Sequence, residues 1–211
     1  MKKLIIFDLD GTLLDTIDDI TNSVNEALKH FSYPSRTTKE VKYFLGSGPR
    51  HLLNESFGKI LTDEEYNEAY GYYDQRYSLN SKVYTKPYLG IYELLKELRG
   101  KYKLAVCSNK QDNITKQLIN EVFPNTFDYV VGTGRLERKP SPAMPNLILK
   151  ELNVLAHEAY FVGDTEVDIM TGLNAQIDVV AVLWGFRTKT DLSALNPKYY
   201  INEPKELLSI L

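Results

Sequence analysis

"KKLIIFDLDGTLLDT", residues 2–16, opens on an apolar run and ends it abruptly with two aspartates one residue apart. Leu4, Ile5, Ile6 and Phe7 show no polar alternation, so the run reads as a strand buried on both faces, the kind found inside parallel sheets. Such a strand delivers Asp8 and Asp10, with Gly11 and Thr12 close behind, to one spot at its carboxyl end. Further runs of this kind are "LAVCSN" (104–109), "YFVGD" (160–164) and "VVAVLWG" (179–185), with "YVVGTG" (129–134) and "YYI" (199–201) as additional members.

Helical patterns separate these runs, and Gly100 sits where a glycine would stop the helix that precedes it. Alternating strands and helices predict an α/β fold: a Rossmann-like parallel sheet core with helices on both faces. In such sheets the ligand site lies beyond the carboxyl ends of the strands, where Asp8, Ser108 and Asp164 all stand. The alternation fails between about residues 15 and 84. Ile17, Ile20, Val24, Ala27, Leu28 and Phe31 recur at helical spacing. Thr37–Glu40 and Thr62–Glu65 fit the S/T-x-x-E capping box. Pro49 suits the first turn of another helix reaching to about Gly58. The expected organisation is an α/β core of residues 1–14 and 85–211, with residues 15–84 inserted as an all-helical cap domain above the site.

Composition narrows the function classes. Hydrophobic content of 43% leaves room for a sizeable core, and a net charge of −3 gives no general attraction to nucleic acid or an anionic membrane. An anionic substrate must then be held by a few local cations or a metal. Cys107 is the only cysteine, which excludes an intrachain disulfide and fits a reducing cytoplasm. The early apolar run is too short for a secretory signal and soon turns acidic. No stretch approaches the roughly 20 apolar residues that span a bilayer. The expectation is a soluble cytoplasmic protein, monomer or homodimer, with no nucleic-acid or membrane partner.

Asp8, Asp10, Asp164 and Asp168 form the candidate acidic set. Gathered at neighbouring strand ends, their repulsion would raise their pKa values unless a cation intervened. A hard divalent ion answers that need, and Mg²⁺ commonly takes one or two carboxylates, waters and a substrate phosphate. The plainer reading of any one of these aspartates is a turn or helix-cap residue. Ser108 and Asn109, with backbone N–H groups at a following helix start, are candidate anion holders. Lys139, in "RKPSP", is either a solvated loop lysine or the cation that balances a phosphate, and Ser141 can cap the next helix.

"DLDGTLLDT", "SN" at 108–109, "KP" at 139–140 and "GDTEVD" at 163–168 resemble, in order and spacing, the four motifs of the haloacid dehalogenase superfamily. "GSGPRHLL" (46–53), "PYLGI" (87–91) and "WGFR" (184–187) are similar to its phosphoglycolate phosphatase branch. The resemblance implies a Mg²⁺-dependent phosphatase acting on a small phosphorylated metabolite, with 2-phosphoglycolate the leading candidate. It implies Asp8 as a nucleophile that forms an aspartyl-phosphate and Asp10 as the acid and then the base. The metal would be held by Asp8, the Asp10 backbone carbonyl and Asp164, with Asp168 in support. Gly11, Thr12, Ser108, Asn109 and Lys139 would hold the phosphate. Arg50, in the first turn of a cap helix, is the candidate for a substrate carboxylate, against a plain surface role. Gln176 departs from the family's pattern, standing where a glycine is usual, and Pro145 falls near a helix start.

Rival readings are a pyrophosphatase, sugar-phosphate mutase or dehalogenase on the same fold, and a non-catalytic phospholigand-binding regulator. Asp10 argues against the dehalogenase, no mutase-type "RG-x-S/T-R" stretch occurs, and no motif residue is missing. "GTGRLE" (132–137) lacks the third glycine of a dinucleotide fingerprint. His30, His51 and His157 are scattered, and the tyrosines of "YGYYDQRY" (70–77) read as packing residues of an amphipathic helix.

Overall fold

The computed structural model describes residues 1–134 and 136–211; "GTGRLE" thus includes one residue, Arg135, outside the described residues. The chain divides into two compact units, Met1–Leu14 with Pro87–Leu211, and Asp15–Lys86.

The first unit is built on six parallel strands. The chain opens with β1 (Leu4–Phe7). It crosses into the second unit through β2 (Leu14–Asp15) and returns through β3 (Lys86–Pro87), and these two short strands pair with each other. Then follow α5 (Ile91–Leu98), β4 (Lys103–Gln111), α6 (Asp112–Val122), β5 (Tyr129–Thr133), α7 (Ala143–Glu151) and β6 (Ala159–Gly163). The unit closes with α8 (Glu166–Asn174), β7 (Asp178–Val182), α9 (Lys189–Leu192) and β8 (Tyr199–Ile201). The sheet order is β5-β4-β1-β6-β7-β8, so the strand order reverses at β1. A doubly wound sheet places its ligand crevice at that reversal. Every residue of β1 is buried, as its unbroken apolar run predicts. Leu4, Ile6, Cys107, Met144, Ile148 and Phe161 share one packed cluster on a sheet face.

Local signals behave as their chemistry requires. Gly100 follows the C-cap of α5 with φ +79°. Gln176 does adopt the left-handed conformation, at φ +58°, a strain of about 1 kcal/mol for a residue with a Cβ. One detail differs: the N-cap of α7 is Pro142, and Ser141 Oγ accepts the Ala143 N–H from one position further out. Pro145 is then the third helical residue, where its missing N–H has no intrahelical partner to lose.

The inserted unit is all helical: α1 (Ile17–His30), α2 (Thr38–Phe44), α3 (Pro49–Phe57) and α4 (Asp63–Asn80). Thr37 and Thr62 each close a capping box with the glutamate three residues on. Ile20, Val24, Ala27 and Leu28 form the buried stripe of α1. Along α4 the rings of Tyr66 and Tyr70 stack, as do those of Tyr73 and Tyr77, with the last two buried. Asp19, in the first turn of α1, is fully buried and accepts the backbone N–H groups of Tyr84 and Thr85 at 2.8–3.1 Å. No helix among the described residues is long and apolar enough to cross a membrane.

Candidate active site

Strand register assembles the site. Phe7 pairs with Val162, and the Asp8 N–H donates to the Val162 carbonyl (2.9 Å). Asp8 therefore leaves the sheet beside Gly163, with Asp164 one residue further. Asp168 lies in the first turn of α8, where its Oδ2 accepts the Thr165 N–H (3.0 Å) and hydroxyl (2.6 Å). One oxygen each from Asp8, Asp164 and Asp168 falls within 4.8 Å of the others, and all three residues are buried.

Lys139 joins this group from the loop after β5. Its Nζ donates to Asp8 Oδ1 (2.5 Å) and Asp168 Oδ1 (2.6 Å). Its backbone is held by Asn109, whose Oδ1 accepts the Lys139 N–H (2.7 Å) and whose Nδ2 donates to the Lys139 carbonyl (3.1 Å). The Lys139–Pro140 peptide is cis. Thr12 donates its hydroxyl to Asp164 Oδ1 (2.9 Å), and the Phe186 N–H donates to Asp164 Oδ2 (2.7 Å). The Trp184 indole N–H donates to the Thr12 carbonyl (3.0 Å). Gly11 has φ +94°, and a Cβ there would collide with the Asp164 carboxylate; one at Gly185 would strike the Gly11 carbonyl and Asp164. Both positions need glycine so that two loops can close on one carboxylate.

The structure shows which protein groups these residues meet. Of the residues expected to hold phosphate, Thr12 gives its hydroxyl to Asp164, and the Gly11 N–H donates to the Leu14 carbonyl (2.9 Å). The side chain of Asn109 is engaged with the Lys139 backbone. Ser108, at 1% exposure, accepts the Lys110 N–H (3.1 Å). Asp10 pairs through Oδ2 with Lys110 Nζ (2.9 Å), a residue the motifs did not single out. Arg50 lies in the helical unit, where its guanidinium meets Asp63 (2.8 Å) and covers the Tyr66 ring at 4.1 Å. Arg187, which the sequence placed in "WGFR" without a role, grips both oxygens of Glu166 with its Nε at 2.9 Å.

Electrostatics asks for a cation. Burial pushes the Asp8 carboxyl well above the usual range and the Asp168 charge pushes it further, against the pull of Lys139. Burial and then Asp168 push Asp164 up to about 7, against the Phe186 N–H and the Thr12 hydroxyl. Burial pulls the Lys139 ammonium down, but Asp168 and Asp8 together outweigh it and hold the ammonium above its ordinary range. Counted formally, four carboxylates (Asp8, Asp10, Asp164, Asp168) against two ammonium groups (Lys110, Lys139) would leave −2 if all were ionised, and the upward push on Asp8 and Asp164 reflects that imbalance. An all-oxygen donor set with that deficit suits a hard divalent ion. Cys107 sits beneath the site, and burial pushes its thiol up to about 12, which leaves it no nucleophilic part.

The comparisons agree with this arrangement. Residues 5–182 match the haloacid dehalogenase-like hydrolase family. A phosphoglycolate phosphatase of Aquifex aeolicus is 35% identical, over 99% of this chain and 96% of that protein. A crystal structure from Lactobacillus delbrueckii subsp. bulgaricus, provisionally named a phosphoglycolate phosphatase, superposes with a TM-score of 0.92 at 33% identity, covering 100% of this chain and 98% of the other. A predicted phosphoglycolate phosphatase from Haemophilus somnus gives 0.90 at 26% identity, covering 99% and 97%. The chain belongs to the haloacid dehalogenase-like hydrolase family and is an enzyme of phosphatase type.

Proposed function

We propose that this enzyme is a Mg²⁺-dependent, cytoplasmic phosphatase of a small phosphorylated metabolite, with 2-phosphoglycolate the leading candidate, working through an aspartyl-phosphate on Asp8. The observation that carries this reading is the buried group at the sheet's reversal: Asp8 against Lys139, with Asp164 and Asp168 within 4.8 Å. The named activity of the Aquifex aeolicus relative supports the choice of substrate.

Asp8, the Asp10 backbone carbonyl and Asp164 would hold the ion, with Asp168 in support. When bound, the ion neutralises carboxylate and phosphoryl charge and acts as a Lewis acid toward a phosphoryl oxygen. In the first half-reaction a carboxylate oxygen of Asp8 bonds to phosphorus as the bond to the leaving oxygen breaks, and Asp10 gives that oxygen a proton. In the second, water returns a proton to Asp10 as its oxygen bonds to phosphorus and the Asp8–phosphorus bond breaks. Lys139 and the Ser108 hydroxyl would bind phosphoryl oxygens throughout, since such transfer depends on positioning and charge. Thr12 and Phe186 keep Asp164 oriented, and Asn109 keeps Lys139 in place.

The test is to assay purified protein with Mg²⁺ against a panel of phosphomonoesters and pyrophosphate, ranked by kcat/KM. Brief exposure to labelled substrate should leave an acid-stable, base-labile phosphate on Asp8, located by peptide mapping. No phosphate release from any monoester, or label on another residue, would sink the reading.

A further inference from the structure

Lys110 has no part in the scheme above, yet its backbone is pinned and its side chain points at one of the two reacting aspartates. β4 does not end at Asn109 but continues to Gln111, and its register against β5 shifts between Cys107 and Gln111. Within that irregular stretch the Lys110 N–H donates to Ser108 Oγ (3.1 Å), the Thr133 hydroxyl is shared between the Asn109 and Lys110 carbonyls (3.3 Å each), and Thr115 ties the next residue by donating to the Gln111 carbonyl (2.8 Å). Gly132 packs so closely that a Cβ there would strike the Lys110 carbonyl. The result is an ammonium 2.9 Å from Asp10 Oδ2 on a side chain only 8% exposed. The other oxygen, Asp10 Oδ1, is buried and has no hydrogen-bond partner among the described residues. A buried acceptor left without a partner is costly and rare outside functional sites.

We infer that Lys110 is a positioning residue for Asp10. Its ammonium takes Oδ2, fixes the rotation of the carboxylate and leaves Oδ1 as the atom that carries the proton. The inference rests on the phosphatase reading and deepens it. In the first half-reaction the proton on Asp10 Oδ1 passes to the leaving oxygen as its bond to phosphorus breaks and the Asp8–phosphorus bond forms. In the second, the attacking water returns a proton to the same Oδ1 while the Asp8–phosphorus bond breaks and orthophosphate departs. Lys110 donates a hydrogen bond in both halves and loses no proton. A proton is handed over only across a short, aligned contact, so an unanchored carboxylate transfers it poorly.

The alternative is that Lys110 touches the substrate itself, and a double-mutant cycle separates the two. The proteins are wild type, Lys110→Met, Lys110→Arg, Asp10→Asn and the Asp10→Asn/Lys110→Met pair, each checked for folding by circular dichroism and assayed with Mg²⁺. The substrates are 2-phosphoglycolate, whose leaving alkoxide needs a proton, and 4-nitrophenyl phosphate, whose leaving group does not. Lys110→Met is expected to lower kcat on the alkyl phosphate roughly 10- to 100-fold with little change in KM, and to lower it less than about threefold on the aryl phosphate. In the Asp10→Asn background the same change is expected to cost no more than about twofold, because the two residues act as one unit. Lys110→Arg should recover most of the rate. Equal losses on both substrates, a rise in KM alone, or the full loss reappearing in the Asp10→Asn background overturns the inference. An Asp10→Asn protein indifferent to the leaving group overturns the role of Asp10 and the inference with it. If Lys110→Met does not fold, Lys110→Gln takes its place, with the same outcomes deciding.

Discussion

Lys139 in the α/β unit and Arg50 in the helical unit are both cations set against carboxylates, yet water treats them differently. The Lys139 side chain is 2% exposed and its partners Asp8 and Asp168 are 8% and 2% exposed. Arg50 is 36% exposed and its partner Asp63 is 90% exposed. In the buried group every charge has lost its water and depends on the others, so removing one strands the rest. At the surface, water competes for both partners, and such a pair contributes about 0–1 kcal/mol. The first arrangement fixes its members in one geometry, and the second leaves its members able to exchange partners.

The sharpest way to break this contrast is Asp8→Asn, which removes the proposed nucleophile and a proposed metal ligand together. Turnover should fall by at least about 10⁴-fold, as when one member of a covalent catalytic unit is lost. A variant that keeps a tenth of the wild-type rate in a phosphate-release assay would remove Asp8 from that role. Lys139→Met comes next. Stranding Asp8 and Asp168 in the interior should destabilise the metal-free protein at neutral pH by about 3–5 kcal/mol in urea unfolding, and a loss below about 1 kcal/mol would erase the distinction from Arg50.

A third measurement uses Asp164, whose carboxyl is pushed by burial and by Asp168 from a reference of 3.8 up to about 7. Between those values the folded chain keeps a proton that the unfolded chain has released, so this group subtracts stability as pH rises. In EDTA, the stability of Asp164→Asn relative to wild type should therefore climb by a few kcal/mol from about pH 4 to pH 7 and level off above. Mg²⁺ should raise the wild-type Tm more at pH 8 than at pH 5. A flat difference curve would mean that the carboxylate is not held in the buried, Asp168-facing environment described. The smallest effect belongs to Arg50→Ala, expected to change stability by less than about 1 kcal/mol. If Arg50 trades Asp63 for a substrate carboxylate, kcat/KM for 2-phosphoglycolate should drop by an equivalent of about 1.5–3 kcal/mol, with aryl phosphate hydrolysis unchanged. Parallel losses on both substrates would place the defect in the fold of the helical unit.

The sheet was legible because its signals are local. An unbroken apolar run such as Leu4–Phe7 has few alternatives to a buried parallel strand, and Thr37 and Thr62 announce helix starts within four residues of chain. The candidate site residues were legible through motif order, and the structure draws Asp8, Asp164, Asp168 and Lys139 together across as many as 160 positions of sequence. What the motifs could not reveal is which partner each group takes. Thr12 and Asn109 are chemically suited to phosphate, and only the closing of loops shows them engaged with Asp164 and Lys139. Lys110 reads as one more loop lysine until the register shift in β4 pins its backbone.

Asp19 adds a consequence for how this protein can be rebuilt. Its carboxylate receives the backbone N–H groups of Tyr84 and Thr85, so the helical segment is latched to itself where it begins and where it ends. Its entry and exit strands, β2 and β3, lie side by side. A segment with its own buried core and adjacent ends is a cassette, since exchanging it leaves the neighbouring chain's path unaltered. Grafting the matching segment of a relative between Leu14 and Pro87, with a carboxylate kept at position 19, should preserve the sheet. Asp19→Ala should instead loosen both ends of the cassette together, seen as faster amide exchange at Tyr84 and Thr85 and in the first turn of α1.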